Sequence, residues 1–277
     1  MADFWSRYKR NRMAVLGLII IAAILVMAAT ASLFYPEDPF RLVGRPLSGP
    51  FENGFLLGSD SLGRDVASGI VHGAKTSLLI GLIATLVSIF IGIFFGAFAG
   101  YYGGRLDDFL MRVTEIFQTI PSFIFAILLV AILKPSISSI VIAIAVVSWP
   151  GVARLVRGEF LSLKNREFVQ ACHTLGMGDL RIMLREILPN CLSPIIVIGS
   201  LMVATAILIE SGLAFLGLGD PNIMSWGFQI GAGRTMLRSA WWVCTFAGIA
   251  ILITVLAINL VGEGLNDALN PRLKERQ

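Results

Sequence analysis

Six long runs without a charged residue constrain this chain more than any other feature of its sequence. The runs cover residues 13–36, 76–104, 116–133, 135–153, 187–209 and 239–262. Each is about as long as a helix that crosses roughly 30 Å of hydrocarbon. Only 14% of the 277 residues are charged, against about 25% in an average soluble domain. The sequence therefore predicts an all-α, polytopic integral membrane protein with six transmembrane helices, and it excludes a large water-soluble core.

The positive charges between the runs alternate in number, and this alternation indicates the orientation of the chain. Lys and Arg are retained on the cytoplasmic side of a bilayer. The two tails and the second-to-third and fourth-to-fifth connections hold 15 Lys and Arg, and the other connections hold seven. We therefore expect a multi-pass protein with both termini in the cytoplasm. A cleaved signal peptide ending near residues 29–31 is an alternative for the first run, and it would preserve this sidedness.

The runs and charges together divide the chain into five parts. We expect a core of five transmembrane helices that contains one large cytoplasmic loop at 154–189. Glycines in the second run provide the small surfaces that let transmembrane helices approach closely. The predicted parts are a cytoplasmic tail 1–13, a first transmembrane helix 14–35, an external loop 36–74, the core 75–262 and a cytoplasmic tail 263–277.

The 154–189 loop is the polar segment with the clearest helical pattern. Asn165 is placed to cap a helix that Gly176 ends, and Asp179 is placed to cap a second helix before Pro189 begins the fifth span. Apolar residues recur at helical spacing, at Phe168, Ala171, Cys172 and Leu175 and then at Leu180, Met183, Leu184, Ile187 and Leu188. Such apolar stripes pack against each other or the membrane surface, or they fill a groove of a partner protein.

The same loop resembles a known family. Residues 167–172 (EFVQAC), then Gly176, then residues 187–189 (ILP) resemble the EAA loop of permease subunits in binding-protein-dependent ABC importers. In that family the loop docks into a cleft of the cytoplasmic ATPase subunit, although Cys172 stands where the family usually has Ala. The resemblance implies an ATPase-coupling role for Glu167, Phe168, Ala171, Cys172, Gly176, Leu188 and Pro189.

Three further stretches resemble the dipeptide, oligopeptide and nickel branch of this family, specifically the second permease of each pair. They are residues 57–65 with 73–78, residues 215–219 with 225–227, and residues 259–271. The resemblance implies the transmembrane fold of type I ABC importers in a bacterial inner membrane. It implies as partners a second homologous permease, two ATP-binding subunits, an external substrate-binding protein and membrane lipid. Peptides are the expected cargo, with nickel complexes or other small solutes as alternatives.

Groups that could carry catalysis or hold a cofactor are scarce. The phosphate-binding pattern G-x-x-x-x-G-K-[ST] is absent from the sequence, so ATP is expected on separate subunits. His72 and His173 fall on opposite predicted sides, and neither defines a metal site nor a nucleophile–base pair. We expect a non-catalytic subunit without a cofactor and without a nucleic-acid partner. A stand-alone transporter or channel driven by an ion gradient, and an intramembrane enzyme, are the alternative classes.

Glu210 is the one acidic residue expected near membrane depth, directly after the fifth run. An ionised carboxylate there is costly unless water, a partner or protonation relieves it. Two interpretations remain open: an interfacial side chain that accepts hydrogen bonds from a neighbouring helix, or a residue that lines the pathway or forms a gate. The resemblance favours a role without naming it, because the matching motif also carries Glu.

Overall fold

The computed structural model describes residues 2–269, and side chains from residue 5 onward. The described chain is helical apart from turns and coil, with a single isolated β-bridge. Its α-helices are α1 (Ala2–Arg10), α2 (Arg12–Ala29), α3 (Ala31–Phe34), α4 (Val66–Tyr102), α5 (Gly104–Gln118), α6 (Ser122–Leu133), α7 (Ile137–Leu163), α8 (Glu167–Thr174), α9 (Asp179–Ile182), α10 (Leu188–Phe215), α11 (Trp226–Gly233) and α12 (Trp241–Leu269).

Five stretches of helix are long and apolar enough to cross a membrane. They are α2, α4, α7, the stretch Asp179–Phe215 that contains α9 and α10, and α12. A sixth crossing is formed if α5 and α6 are taken together, although their axes are bent by 82°. The expected all-helical membrane architecture is thus confirmed with five crossings, or six where the bent pair counts as one.

The predicted third span, 116–133, is therefore wrong as one continuous helix. The α5 helix ends at Gln118, and Pro121 lies at the N-terminus of α6 with an extended ψ of 125°. Proline disfavours a helical residue before it and has no N–H to donate into the preceding turn. The break leaves α6 with 12 residues, about 18 Å of helix, which is short of the hydrocarbon thickness.

Other boundaries differ from the prediction because charged residues bound the uncharged runs, whereas capping and packing bound the helices. The first span ends at Ala29 instead of residue 35, and α4 begins at Val66, within the predicted external loop. Asp65 caps α4 by accepting a 2.8 Å hydrogen bond from the Ala67 N–H. The last helix continues through Leu269 into the predicted tail, whose remaining residues 270–277 lie outside the described residues.

The longest helix contact joins α4 to α7 through small residues. Gly92, Gly96 and Gly100 lie along one side of α4, and each approaches the α7 backbone or a Cβ atom so closely that a methyl group would overlap it. A Cβ placed on Gly96 would lie 2.4 Å from the carbonyl oxygen of Ala153. The glycines thus let the two helices approach at backbone distance, as the sequence predicts.

The segment between α3 and α4 folds against the ends of other helices. The Trp242 indole N–H at the start of α12 donates a 3.0 Å hydrogen bond to the carbonyl of Ser59. Gly58, with φ +86°, packs directly on that indole, which is an approach and a conformation that a side chain would prevent. This segment is therefore attached to the helical bundle at residues 58–59.

Candidate functional site

The 154–189 loop begins inside α7, which continues to Leu163, and is built around α8. Arg166 occupies the N-cap of α8 and makes no side-chain capping bond, so the predicted Asn165 cap is wrong. Asn165 instead contributes its backbone carbonyl, which accepts a 3.2 Å hydrogen bond from the Gln170 amide. The α8 helix therefore starts one residue later than the predicted Asn165 cap implies.

Gly176 ends α8 in the way the sequence predicts. Its φ is +74°, a conformation that glycine adopts without the steric cost of a Cβ. The Met177 N–H donates to the Cys172 carbonyl at 3.1 Å, and the Gly176 N–H donates to the His173 carbonyl at 2.9 Å. This pair of bonds is the Schellman motif, which satisfies the last carbonyls of a helix.

The buried face of α8 is not the predicted stripe. Val169, which lies outside that stripe, is fully buried against Phe160 of α7 and against Ile182 and Ile187 of the following helical stretch. Cys172 is half-buried at the margin of this cluster. The docking of α8 onto α7 thus decides which face is covered, and periodicity within eight residues does not contain that information.

Five other apolar residues of the loop are exposed, whereas Met183 and Ile187 of the predicted second stripe are buried in the same cluster as Val169. Leu175 is 80% exposed, and Leu180 and Leu184 are more than half exposed. Phe168 and Ala171 are exposed as well. Each predicted stripe is therefore divided between a covered part and a part that this chain leaves open. We call these five residues the apolar face of the loop. An open depression of about 670 Å³ adjoins this face.

Pro189 does not separate the loop from the fifth span. A π-helical turn, Met183–Ile187, joins α9 to α10 without a break, and the Leu188 N–H donates to the carbonyl of Met183. Proline has no N–H for an ordinary helical bond, and a wider turn accommodates it. The predicted second loop helix and the fifth span are therefore one continuous helical stretch.

Glu167, at the other end of the loop, is exposed in the first turn of α8.

The loop is also tied to the end of α4. The Tyr101 hydroxyl donates a 2.8 Å hydrogen bond to a carboxylate oxygen of Asp179, and it lies 3.5 Å from Nε2 of His173. His173 is exposed, and its ring stacks beside the Tyr101 ring. These contacts, together with the buried cluster, attach the loop to α4, α7 and α10.

Glu210 is buried inside this chain, with 2% of its surface exposed. It accepts a 2.7 Å hydrogen bond from the Ser225 hydroxyl and a longer one from Ser211. Ser225 in turn caps α11 by accepting from the Phe228 N–H. Gly227 packs on the carboxylate, since a Cβ there would lie 2.7 Å from it. Glu210 therefore anchors the N-terminus of α11, and the acceptor interpretation fits this geometry.

One charged contact was missed by the sequence reasoning. Asp107 of α5 and Arg157 of α7 form an ion pair through two hydrogen bonds of 2.5 and 2.7 Å. From the sequence, Arg157 is only one of the positive charges of the loop. No local pattern links residues that are 50 positions apart. The Nε2 atom of His72 lies 2.9 Å from the Tyr35 carbonyl, a contact that the sequence also does not indicate.

Comparison with known proteins decides the family. Residues 92–275 match the family described as the binding-protein-dependent transport system inner membrane component, and residues 1–47 match the N-terminal transmembrane domain of oligopeptide transport permease C. The chain belongs to this inner membrane component family. It is a multi-pass permease subunit of a binding-protein-dependent ABC importer.

Relatives extend over nearly the whole permease. It is 44% identical to the dipeptide transport system permease protein DppC of Escherichia coli K12, with 99% of this chain and 94% of that protein covered. It is 41% identical to the di/tripeptide transport system permease protein DppC of Pseudomonas aeruginosa, covering 99% of this chain and 93% of that protein.

A solved structure shares the fold of the permease. An inward-facing structure of the MetNI methionine ABC transporter superposes with a TM-score of 0.60 at 16% identity, covering 73% of this chain and 96% of that chain. Since that identity is low, the likeness concerns the fold alone.

Proposed function

We propose that this permease forms half of a translocation path for di- or oligopeptides and that its 154–189 loop binds cytoplasmic ATPase subunits. The apolar face of the loop carries the proposal. Its side chains are exposed, yet the helices beneath them are held by the buried cluster around Val169. A loop fixed to the helices transmits the movement of a bound ATPase subunit to them, whereas a flexible loop would change its own conformation instead.

The proposal assigns four kinds of partner and no cofactor to this chain. The partners are a second homologous permease, two ATP-binding subunits, a substrate-binding protein outside and membrane lipid. The missing phosphate-binding pattern supports ATP binding by the partner subunits and a non-catalytic role here. The excess of Lys and Arg on one set of connections supports a cytoplasmic location for both termini and the loop.

Peptide cargo is supported by the relatives that cover nearly the whole chain. Those from E. coli and P. aeruginosa are named as dipeptide and di/tripeptide permeases. Another, the oligopeptide transport system permease protein OppC of Bacillus subtilis, is 37% identical and is named for longer peptides. The shared chemistry is the peptide backbone with its charged ends.

The test replaces one exposed apolar side chain of the loop. Leu175→Gln should leave the permease folded, because Leu175 packs on little in this chain, and should weaken retention of the ATPase subunits during purification by about tenfold. Loss of one buried anchor in a protein–protein contact costs roughly 1 to 2 kcal/mol. The readouts are the ATPase chains that co-purify and ATP-dependent peptide uptake in vesicles.

Leu42→Gln is the matched control, because Leu42 is 63% exposed and lies in the segment before α4. It should retain the ATPase chains fully. Equal retention by the Leu175 variant and the wild type would contradict the assigned docking surface. Peptide uptake by the isolated chain, independent of ATP, would support the stand-alone transporter instead.

A further inference from the structure

The α5 helix is bounded by a non-helical joint at each end. Gly103 and Gly104, which connect it to α4, both have positive φ, at +69° and +55°. The break before Pro121 at its other end sets it at 82° to α6. We call α5 the hinged helix. Backbone at both joints departs from helical geometry, so the orientation of the hinged helix depends on what holds it between them.

Two side-chain contacts join the hinged helix to α7 between these joints: the Asp107–Arg157 ion pair, and the edge-to-face packing of Phe117 on Trp149 with 5.3 Å between ring centroids. Asp107 and Thr114 are the buried residues of the hinged helix, and the Thr114 hydroxyl bonds within the helix. Asp107 instead accepts two hydrogen bonds from Arg157 of α7. Within the described part of the chain, this pair is the side-chain hydrogen bond by which residues 104–118 reach another helix. Bidentate pairing fixes direction as well as distance.

Arg157 is in turn held by α4 and by the buried cluster that supports the 154–189 loop. The glycines of α4 approach its backbone, since a Cβ on Gly100 would lie 2.8 Å from the Arg157 carbonyl oxygen. Val156 and Phe160, on either side of it, are fully buried in the cluster that includes Val169 of α8 and Ile187 of the π-helical turn. A displacement of α8 is therefore carried to Arg157 by packed side chains.

A cavity beside the ion pair leaves space for the hinged helix to move. It measures about 630 Å³, and its lining includes Asp108, Glu115 and Arg154 in addition to the pair. A helix that is jointed at both ends and faces a cavity can change its angle without overlapping α7. The ion pair then couples the angle of the hinged helix to the position of the 154–189 loop.

We propose that the Asp107–Arg157 pair is the link through which the 154–189 loop positions the hinged helix and, through it, α6. Asp107 and Arg157 are thus positioning residues for coupling between ATP hydrolysis and movement of the bent crossing. This inference rests on the proposed docking of ATPase subunits to the loop. It concerns how motion spreads after docking.

Asp107→Asn is the first test variant, because it keeps the shape of the side chain and removes its charge. The complete importer, reconstituted in vesicles with its binding protein and a dipeptide, should retain ATP hydrolysis. Peptide transported per ATP should fall at least fivefold, the lower end of the range of typical allosteric couplings. The exchanged double variant, Asp107→Arg with Arg157→Asp, should restore this ratio to within about twofold of the wild type.

Glu115→Gln is the matched control. It breaks the Arg112–Glu115 pair, which lies on the same helix but is exposed and links no other element. It should leave the ratio of transport to hydrolysis unchanged. Spin labels at residues 111 and 154 add a direct readout: ATP should shift their distance in the wild type, and Asp107→Asn should broaden it.

Wild-type coupling in Asp107→Asn, or a double variant that assembles without regained coupling, overturns the link. Failure of both variants to assemble also overturns it, since the pair would then serve folding alone. Failure of the proposed docking has a different signature, because the unmodified permease would then lack retained ATPase chains and ATP-dependent uptake.

Discussion

Replacing Gly96 with alanine should destabilise the permease measurably through the contact between α4 and α7. The added Cβ would lie 2.4 Å from the Ala153 carbonyl oxygen and 2.7 Å from the Cβ of Val156. Carbon–oxygen contacts normally begin near 3.3 Å, so the helices must separate by about 1 Å. Both obstructing atoms belong to the α7 backbone or its first side-chain carbon, and neither can rotate away. Overpacking of this kind costs roughly 1 to 3 kcal/mol, and we expect about 2 to 3.

Thermal unfolding of the purified full chain in detergent, followed by circular dichroism, measures this effect. A loss of this size should lower the melting temperature by roughly 5 °C or more. Gly158→Ala on α7 is the matched control, because a Cβ there meets nothing within 4 Å. Its greater helix propensity should raise stability by up to about 1 kcal/mol. Equal melting temperatures for the two alanine variants would refute the close-contact reasoning.

Three further substitutions test the loop and the two capped helices. Gly176→Val should lower the melting temperature, because a β-branched residue at φ +74° costs about 1 to 2 kcal/mol, whereas Gly176→Asn should be tolerated; equal values for both would disprove the strain. Glu210→Ala should cost roughly 2 to 4 kcal/mol in the same assay, because it leaves a cavity and the buried Ser225 hydroxyl without its acceptor, and Glu210→Gln should cost less. Wild-type stability of the alanine variant would contradict the anchoring of α11. Asp65→Ala should lose about 1 kcal/mol of N-cap energy that Asp65→Asn retains. Burial raises the pKa of Asp65, so the folded chain holds that proton more tightly, and stability should fall as pH rises from the unfolded to the folded pKa. Asp65→Asn should remove this slope in melting temperatures measured against pH, and an unchanged slope would assign it to another group.

The six uncharged runs were sufficient to predict a helical membrane protein, because hydrocarbon thickness and the cost of burying charge act on each segment separately. The end of α8 at Gly176 was equally accessible, since the requirement for positive φ is local. The motifs in the 154–189 loop carried the family resemblance for the same reason. Each of these properties depends only on residues that are close together in the sequence.

Tertiary structure decided what depends on two segments at once. Periodicity in the loop suggested a stripe through Phe168 and Leu175, yet docking onto α7 buries Val169 and leaves that stripe exposed. The Ser225 partner of Glu210 and the Arg157 partner of Asp107 lie in distant segments, and the sequence contains no local sign of either contact. Such contacts stabilise the protein only once the helices have packed, because the two side chains are far apart in the sequence and meet only in the folded chain.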